Sequence, residues 1–126
     1  MKIKIYYHHT DCGGVVYYAK YLEFLEDART EFFEDKGISY EGMVRQGTQF
    51  VVVRQEIDYK APAFYGDTLS IDTRLTEVGP VKLDFSYEIK NQNNQAISTA
   101  RTIMVCVNGN LKPQAIPEEI RNKLGK

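Results

Sequence analysis

Tyr6-Tyr7-His8-His9-Thr10-Asp11-Cys12-Gly13-Gly14-Val15-Val16-Tyr17-Tyr18-Ala19-Lys20-Tyr21 joins two different periodicities. Before it, Ile3 and Ile5 alternate with Lys2 and Lys4, as a half-buried strand requires. After it, Tyr18, Tyr21, Leu22, Leu25, Ala28 and Phe32 recur at helical spacing. A polar strand-to-helix turn that carries a carboxylate and two glycines is a place for chemistry. It sets Asp11 beside a helix N-terminus, where free backbone N–H groups point outward.

Working outward, residues 2–7 read as a strand and residues 8–16 as the turn. A long helix is predicted from Tyr17 or Tyr18 to Lys36, with Glu23, Glu26, Asp27, Glu31 and Glu34 as its wet face. Gly37 follows where a left-handed residue ends a helix. Tyr21, Phe24, Leu25, Phe32 and Phe33 form a wide aromatic stripe, and a sheet is its natural cover. A short helical turn is expected at Tyr40–Arg45.

From Gln49 onward the signals are those of strands. One runs from Phe50 through Tyr59 and breaks at Ala61-Pro62-Ala63, because proline cannot donate to a ladder. Tyr65-Gly66-Asp67 marks a turn before an alternating run from Leu69 to Leu75. Val81, Leu83, Phe85, Tyr87 and Ile89 then alternate with Lys82, Asp84, Ser86, Glu88 and Lys90, which puts the second set on a wet face. The last strand is Ile97–Val107, and Pro117-Glu118-Glu119 opens a short helix. One long helix on an antiparallel sheet of about five strands is an α+β architecture. The other sheet face is left wet or covered by a second subunit.

The bulk numbers fit one domain over residues 1–126. Sixteen basic and seventeen acidic residues give a net charge of −1, which argues against a nucleic-acid partner. Two cysteines, Cys12 and Cys106, make no disulfide framework and fit a reducing, cytoplasmic setting. No apolar run is long enough for a transmembrane segment, and residues 1–5 lack the apolar stretch of a signal peptide.

Within the turn, His8, His9, Asp11 and Cys12 are all metal-ligand types. In extended chain the two histidines point to opposite sides, and no second Cys or His cluster completes a tetrahedral site, so no metal is expected. Cys12 near a helix start could be an activated thiol, but only the adjacent histidines could serve it as base. Asp11 has a plain alternative as a helix-entry carboxylate. It is far from Tyr17 or Tyr18 for that role, and no Ser, Thr, Asn or Asp stands between Cys12 and Tyr18. The first helical amides are therefore left for water or a ligand. A carbonyl oxygen that becomes negative in a transition state suits them, with Asp11 as base or nucleophile.

Tyr7-x-x-Thr10-Asp11-x-x-Gly14-Val15-Val16-Tyr17-x-x-x-Tyr21, followed by Glu26-x-Ala28-Arg29-Thr30-Glu31, resembles the hotdog-fold acyl-CoA thioesterases, in the YbgC-type branch of the 4-hydroxybenzoyl-CoA thioesterase family. Asp58-Tyr59-x-x-Pro62-Ala63-x-x-Gly66-Asp67-x-Leu69 looks like that family's second-to-third strand turn, and Val105-Cys106-Val107 like its last strand. The resemblance covers nearly the whole chain. It implies a long helix wrapped by an antiparallel sheet, and hydrolysis of an acyl-CoA substrate with no cofactor, CoA being part of the substrate. It places the catalytic carboxylate on Asp11 and the carbonyl-polarising amide on Tyr18, and it includes Tyr7 in the motif. YbgC-type members often have histidine at the position of Tyr18. The 4-hydroxybenzoyl branch has tyrosine there, so the backbone role survives and a histidine side-chain role does not.

The expected substrate-binding set is Gly14, Val15, Val16 and Tyr17 at the turn, with Lys60 and Lys82 holding CoA phosphates. A homo-oligomer, dimer or tetramer, is expected, since one helix covers only one sheet face. The rival reading is a non-catalytic acyl- or CoA-binding scaffold. Hydratase chemistry is disfavoured because no histidine lies in the helix.

Overall fold

A computed structural model of the chain describes residues 1–125; Lys126, the last residue of the expected domain, lies outside them. Five strands form one antiparallel sheet: β1 (Lys2–Lys4), β2 (Gln49–Tyr59), β3 (Thr68–Val78), β4 (Lys82–Lys90) and β5 (Ala96–Val107). Their spatial order is β1-β3-β4-β5-β2. The helices are α1 (Lys20–Asp35), α2 (Tyr40–Arg45) and α3 (Glu118–Lys123). Ladder irregularities at Val52/Arg54, Leu75/Glu77 and Ile89/Lys90 bend the strands, so the sheet curls around α1.

The aromatic stripe of α1 is the centre of the core. Tyr21, Phe24, Leu25, Ala28 and Phe33 are all buried. Phe33 meets Phe85 of β4 and Phe50 of β2 at 5.8 Å each, and Tyr40 of α2 at 5.3 Å. Lys36 closes the helix and Gly37 follows at φ +76°, the left-handed conformation its position called for. Leu22, counted in the apolar stripe, faces outward and is exposed. Its place on the buried face is taken by Arg29, which is 6% exposed. Arg29 Nη1 donates to Tyr87 Oη at 3.2 Å and to Thr102 Oγ1 at 3.4 Å.

Two boundaries and one burial depart from the sequence reading. The first strand ends at Lys4, and Tyr7–His9 wind into a single 3₁₀ turn. The helix begins at Lys20, not at Tyr17 or Tyr18. Extended pairing persists to Val16, which bridges Thr10, and Tyr17 N–H donates to His9 O at 3.0 Å, so the chain is not free to coil earlier. The third departure is Asp84, placed on the wet face by alternation but only 4% exposed. Arg101 covers it, its Nε donating to both carboxylate oxygens at 2.9 and 3.2 Å.

Those hydrogen bonds, with the Arg101 charge, hold the Asp84 carboxyl below its usual value of 3.8 despite burial. A depressed carboxyl contributes stability above that value and loses it as pH falls through the lower folded-state pKa. Arg101 is half exposed, so the pair's worth is discounted from the figure for fully buried pairs. Asp84→Asn should cost about 1–2 kcal/mol at pH 7. In thermal melts it should also narrow the gap between the native midpoints at pH 6 and pH 3.

Candidate active site

The turn is built as a small two-stranded clasp. Thr10 bridges Val16, and Val15 bridges Phe64, both antiparallel. Asp11 N–H donates to Val15 O at 2.9 Å, and Gly14 N–H returns to Asp11 O at 3.1 Å. Gly14 lies at φ +82°, where a side chain would be strained. Gly13 donates its N–H to Asp11 Oδ1 at 2.8 Å, and a Cβ there would lie 3.2 Å from that oxygen.

Asp11 is exposed and does not cap α1. The N-cap is Ala19, which has no side-chain cap bond. The helix-entry reading of Asp11 is thereby replaced by an Asx turn that uses one carboxylate oxygen. Among the described residues, Oδ2 accepts no hydrogen bond.

Of the amides expected to face a ligand, three are already engaged. Gly14 N–H goes to Asp11 O, Val16 N–H to Ala63 O at 2.8 Å and Tyr17 N–H to His9 O. Among the described residues, Val15, Tyr18 and Ala19 N–H have no acceptor. Lys20, Tyr21 and Leu22 then bond back three residues to Tyr17, Tyr18 and Ala19, at 2.8, 3.4 and 3.2 Å. The free amides of Tyr18 and Ala19 thus sit at the very start of a 16-residue helix, at its positive end, while that of Val15 lies in the clasp.

They adjoin a cleft of about 320 Å³ lined by Val15, Val16, Tyr18, Tyr21, Tyr59, Lys60, Ala61 and Pro62. Four of the residues expected at the site, Val15, Val16, Tyr18 and Lys60, meet there. Asp11 is one cross-strand neighbour away, bonded to Val15. Tyr7 is 77% exposed and packs edge-on against Tyr65 at 6.1 Å, outside the cleft wall. Tyr17 is likewise exposed, its ring 4.9 Å from that of Tyr18. Lys82 is not brought to the cleft. It pairs with Val105 while Tyr59 pairs with Ser98, seven positions away along β5. That is roughly 23 Å, at about 3.3 Å per residue.

Tyr59 and Tyr21 were not foreseen as site residues. Tyr59 Oη donates to Tyr18 O at 3.1 Å, which ties the end of β2 to the start of α1. Because a peptide unit is planar, holding the Tyr18 carbonyl also fixes the direction of the Ala19 N–H. Burial pushes the Tyr21 phenol up to about 12, with Tyr59 adding to the shift. Burial raises Tyr59 as well. Both phenols are therefore neutral donors at ordinary pH and not bases. The signal in the sequence was the Tyr59-Lys60-Ala61-Pro62 run at the strand's end.

His8 and His9 do not splay apart as extended chain would have them. The 3₁₀ turn brings their ring centroids to 4.0 Å. Among the described residues, no group of three or more His, Cys, Asp or Glu side chains is placed to hold a metal ion. Cys12 is exposed and unpaired.

With this geometry in view, the comparisons with known proteins are decisive. The model of the thioesterase-like superfamily matches residues 7–124. This chain belongs to that superfamily. It is 37% identical over 119 residues to the acyl-CoA thioester hydrolase YbgC of Escherichia coli (strain CFT073), covering 94% of this chain and 89% of that one. It is 30% identical to a 1,4-dihydroxy-2-naphthoyl-CoA hydrolase of Synechococcus elongatus, covering 91% and 86% of the two chains. The crystal structure of protein TT1821 from Thermus thermophilus superposes with a TM-score of 0.94 at 32% identity, over 99% of this chain and 95% of that one. The family match and the YbgC relatives uphold the YbgC-type resemblance and the hotdog fold read from the motifs.

Tyr59→Phe removes only the hydroxyl that holds the Tyr18 carbonyl. Thiol release from an acyl-CoA should fall about three- to tenfold in kcat/KM, the worth of one neutral hydrogen bond. The melting curve should stay nearly unchanged.

Proposed function

We infer that the chain is an acyl-CoA thioesterase whose reaction centre is the Asp11 turn and the opening of α1. The observation that carries this reading is the pairing of an exposed carboxylate with unpartnered amides at Tyr18, which lines an apolar cleft, and at its neighbour Ala19. The thioester carbonyl oxygen lies against those amides and the helix dipole, which stabilise the charge it gains. Asp11 either attacks the carbonyl carbon or takes a proton from the water that does. In the first case CoA leaves as thiolate and water cleaves the mixed anhydride. In the second, the water oxygen ends in the acid product and the thiolate takes up a proton. Lys60 lines the cleft and, in this reading, meets a CoA phosphate. A lysine at the position of Lys82 could do so only for a neighbouring subunit.

The relatives are named as hydrolases, which favours turnover over a purely binding role. No helix among the described residues is long and apolar enough to cross a membrane. The chain assembles as a homo-oligomer in this reading, because β2 is an edge strand that leaves Val52 and Val53 46% and 58% exposed. Light scattering at micromolar concentration should give a dimer or tetramer, and a monomer would count against the assembly.

Asp11→Asn tests the centre. Asparagine retains the acceptor for Gly13 N–H, so the melting transition should move by about 1 kcal/mol or less. Turnover should fall by roughly two orders of magnitude or more. Full activity in a folded Asp11→Asn protein would take the reaction centre away from Asp11, whereas a native protein that releases no thiol from any acyl-CoA would leave the binding role as the better reading.

A further inference from the structure

The clasp carries a latch in its first half, and the latch is a titratable ring. His9 ends the 3₁₀ turn, and its side chain folds back so that Nδ1 accepts the Tyr6 N–H at 2.9 Å. Its own N–H donates to Tyr6 O at 3.0 Å. A ring nitrogen accepts a hydrogen bond only when it carries no proton, so this is neutral imidazole with its hydrogen on Nε2. At its other end, the His9 carbonyl accepts the Tyr17 N–H at 3.0 Å, the last bond before the free Tyr18 amide. One residue thus ties the strand exit to the helix entry, and Asp11 lies between its two attachments. The ring is held edge-on against Phe24 of α1, centroids 5.3 Å apart.

We propose that neutral His9 is a positioning residue of this site, holding Asp11 and the Tyr18 amide in register, and that protonation of its ring releases them. The proposal rests on the reading of the Asp11 turn as the reaction centre. Protonated Nδ1 is a donor facing the Tyr6 N–H donor, so the bond is lost and the turn loses its closure. The titratable and charged groups around the ring are Tyr6 and His8 on its own turn, and Lys20 and Glu23 on α1. Burial is the largest influence, and His8 and Lys20 act with it to lower the pKa from the ordinary 6.5, while Glu23 opposes them. The latch is therefore closed above about pH 6.5 and opens as pH falls through the lowered value. His8 makes no comparable bond to the backbone among the described residues.

The test is kcat/KM against pH for the full chain, using the best substrate of an acetyl-, butyryl- and benzoyl-CoA panel. The native protein should show an acid limb below 6.5. His9→Asn keeps a side-chain acceptor that does not titrate. It should retain activity at pH 8 within about threefold and lose the limb, and so exceed the native protein at pH 5 relative to its own plateau. His9→Leu should be about tenfold slower at every pH, with no limb in this range. His8→Gln should leave the limb in place. An unchanged limb in His9→Asn overturns the proposal. Should that variant not fold, ring ¹⁵N spectra of the native protein decide. An Nε2–H tautomer titrating below 6.5 supports the latch, and an Nδ1–H tautomer or a value at or above 6.5 overturns it. The underlying reading fails separately. An active Asp11→Asn removes the centre that His9 serves, whereas an inactive one with His9 titrating as before leaves the proposal to the His9 variants.

Discussion

Burial of one aromatic helix face organises the molecule. α1 carries Tyr21, Phe24, Leu25 and Phe33 on a face too wide for a second helix to cover, and a curled sheet encloses it. Phe33 is fully buried among rings from β2, β4 and α2. Truncating such a side chain costs about 3–5 kcal/mol, a large share of the roughly 5–15 kcal/mol that holds a domain together. The bulges in β2, β3 and β5 follow from the same demand, since a flat sheet would leave part of the stripe in water.

The site is a consequence of how late that helix is allowed to start. Tyr17 is aromatic and Val15 and Val16 are β-branched, and all three are held extended by bonds to His9, Asp11 and Ala63. Coiling begins only at Tyr18 and Ala19, where no capping side chain is present. The open amides are thus produced by the clasp and not by the helix itself. Apolar burial would place α1 under the sheet with or without them.

Much of this was legible in the sequence because it rests on local rules. Period-2 and period-3.6 patterns placed all five strands and α1, and Gly37 and Pro117 punctuated two helices correctly. The uncapped amides at the helix start were legible through the absence of a capping side chain before Tyr18. What escaped depends on partners distant in sequence. Asp84 looked wet until Arg101, seventeen residues on, covered it. Lys82 looked available for CoA, but strand register carries it to the far end of the sheet. Tyr59 read as an ordinary strand residue because its partner is the carbonyl of Tyr18, forty-one positions earlier. The histidine pair was misjudged for a different reason. A single 3₁₀ turn replaces extended chain there, and two adjacent side chains that would diverge in a strand converge in a tight turn.

Packing alone does not fix where the helix stops sliding along the sheet, because apolar attraction is non-directional. Hydrogen bonds are directional, and one buried set of them acts at the helix centre. Arg29 reaches Tyr87 and Thr102, Tyr87 Oη donates to Thr102 Oγ1 at 3.0 Å, and Thr102 Oγ1 donates to Gln55 Oε1 at 2.6 Å. A guanidinium buried among neutral oxygens carries a desolvation penalty that an apolar residue would avoid. What the arrangement provides is register across α1, β4, β5 and β2. Gln55 lies four residues before Tyr59 on β2, and Tyr59 is the residue that grips the Tyr18 carbonyl. The same strand is therefore tied to the helix at its middle and at its opening, and the cleft wall and the free amides are held to one another by those two attachments.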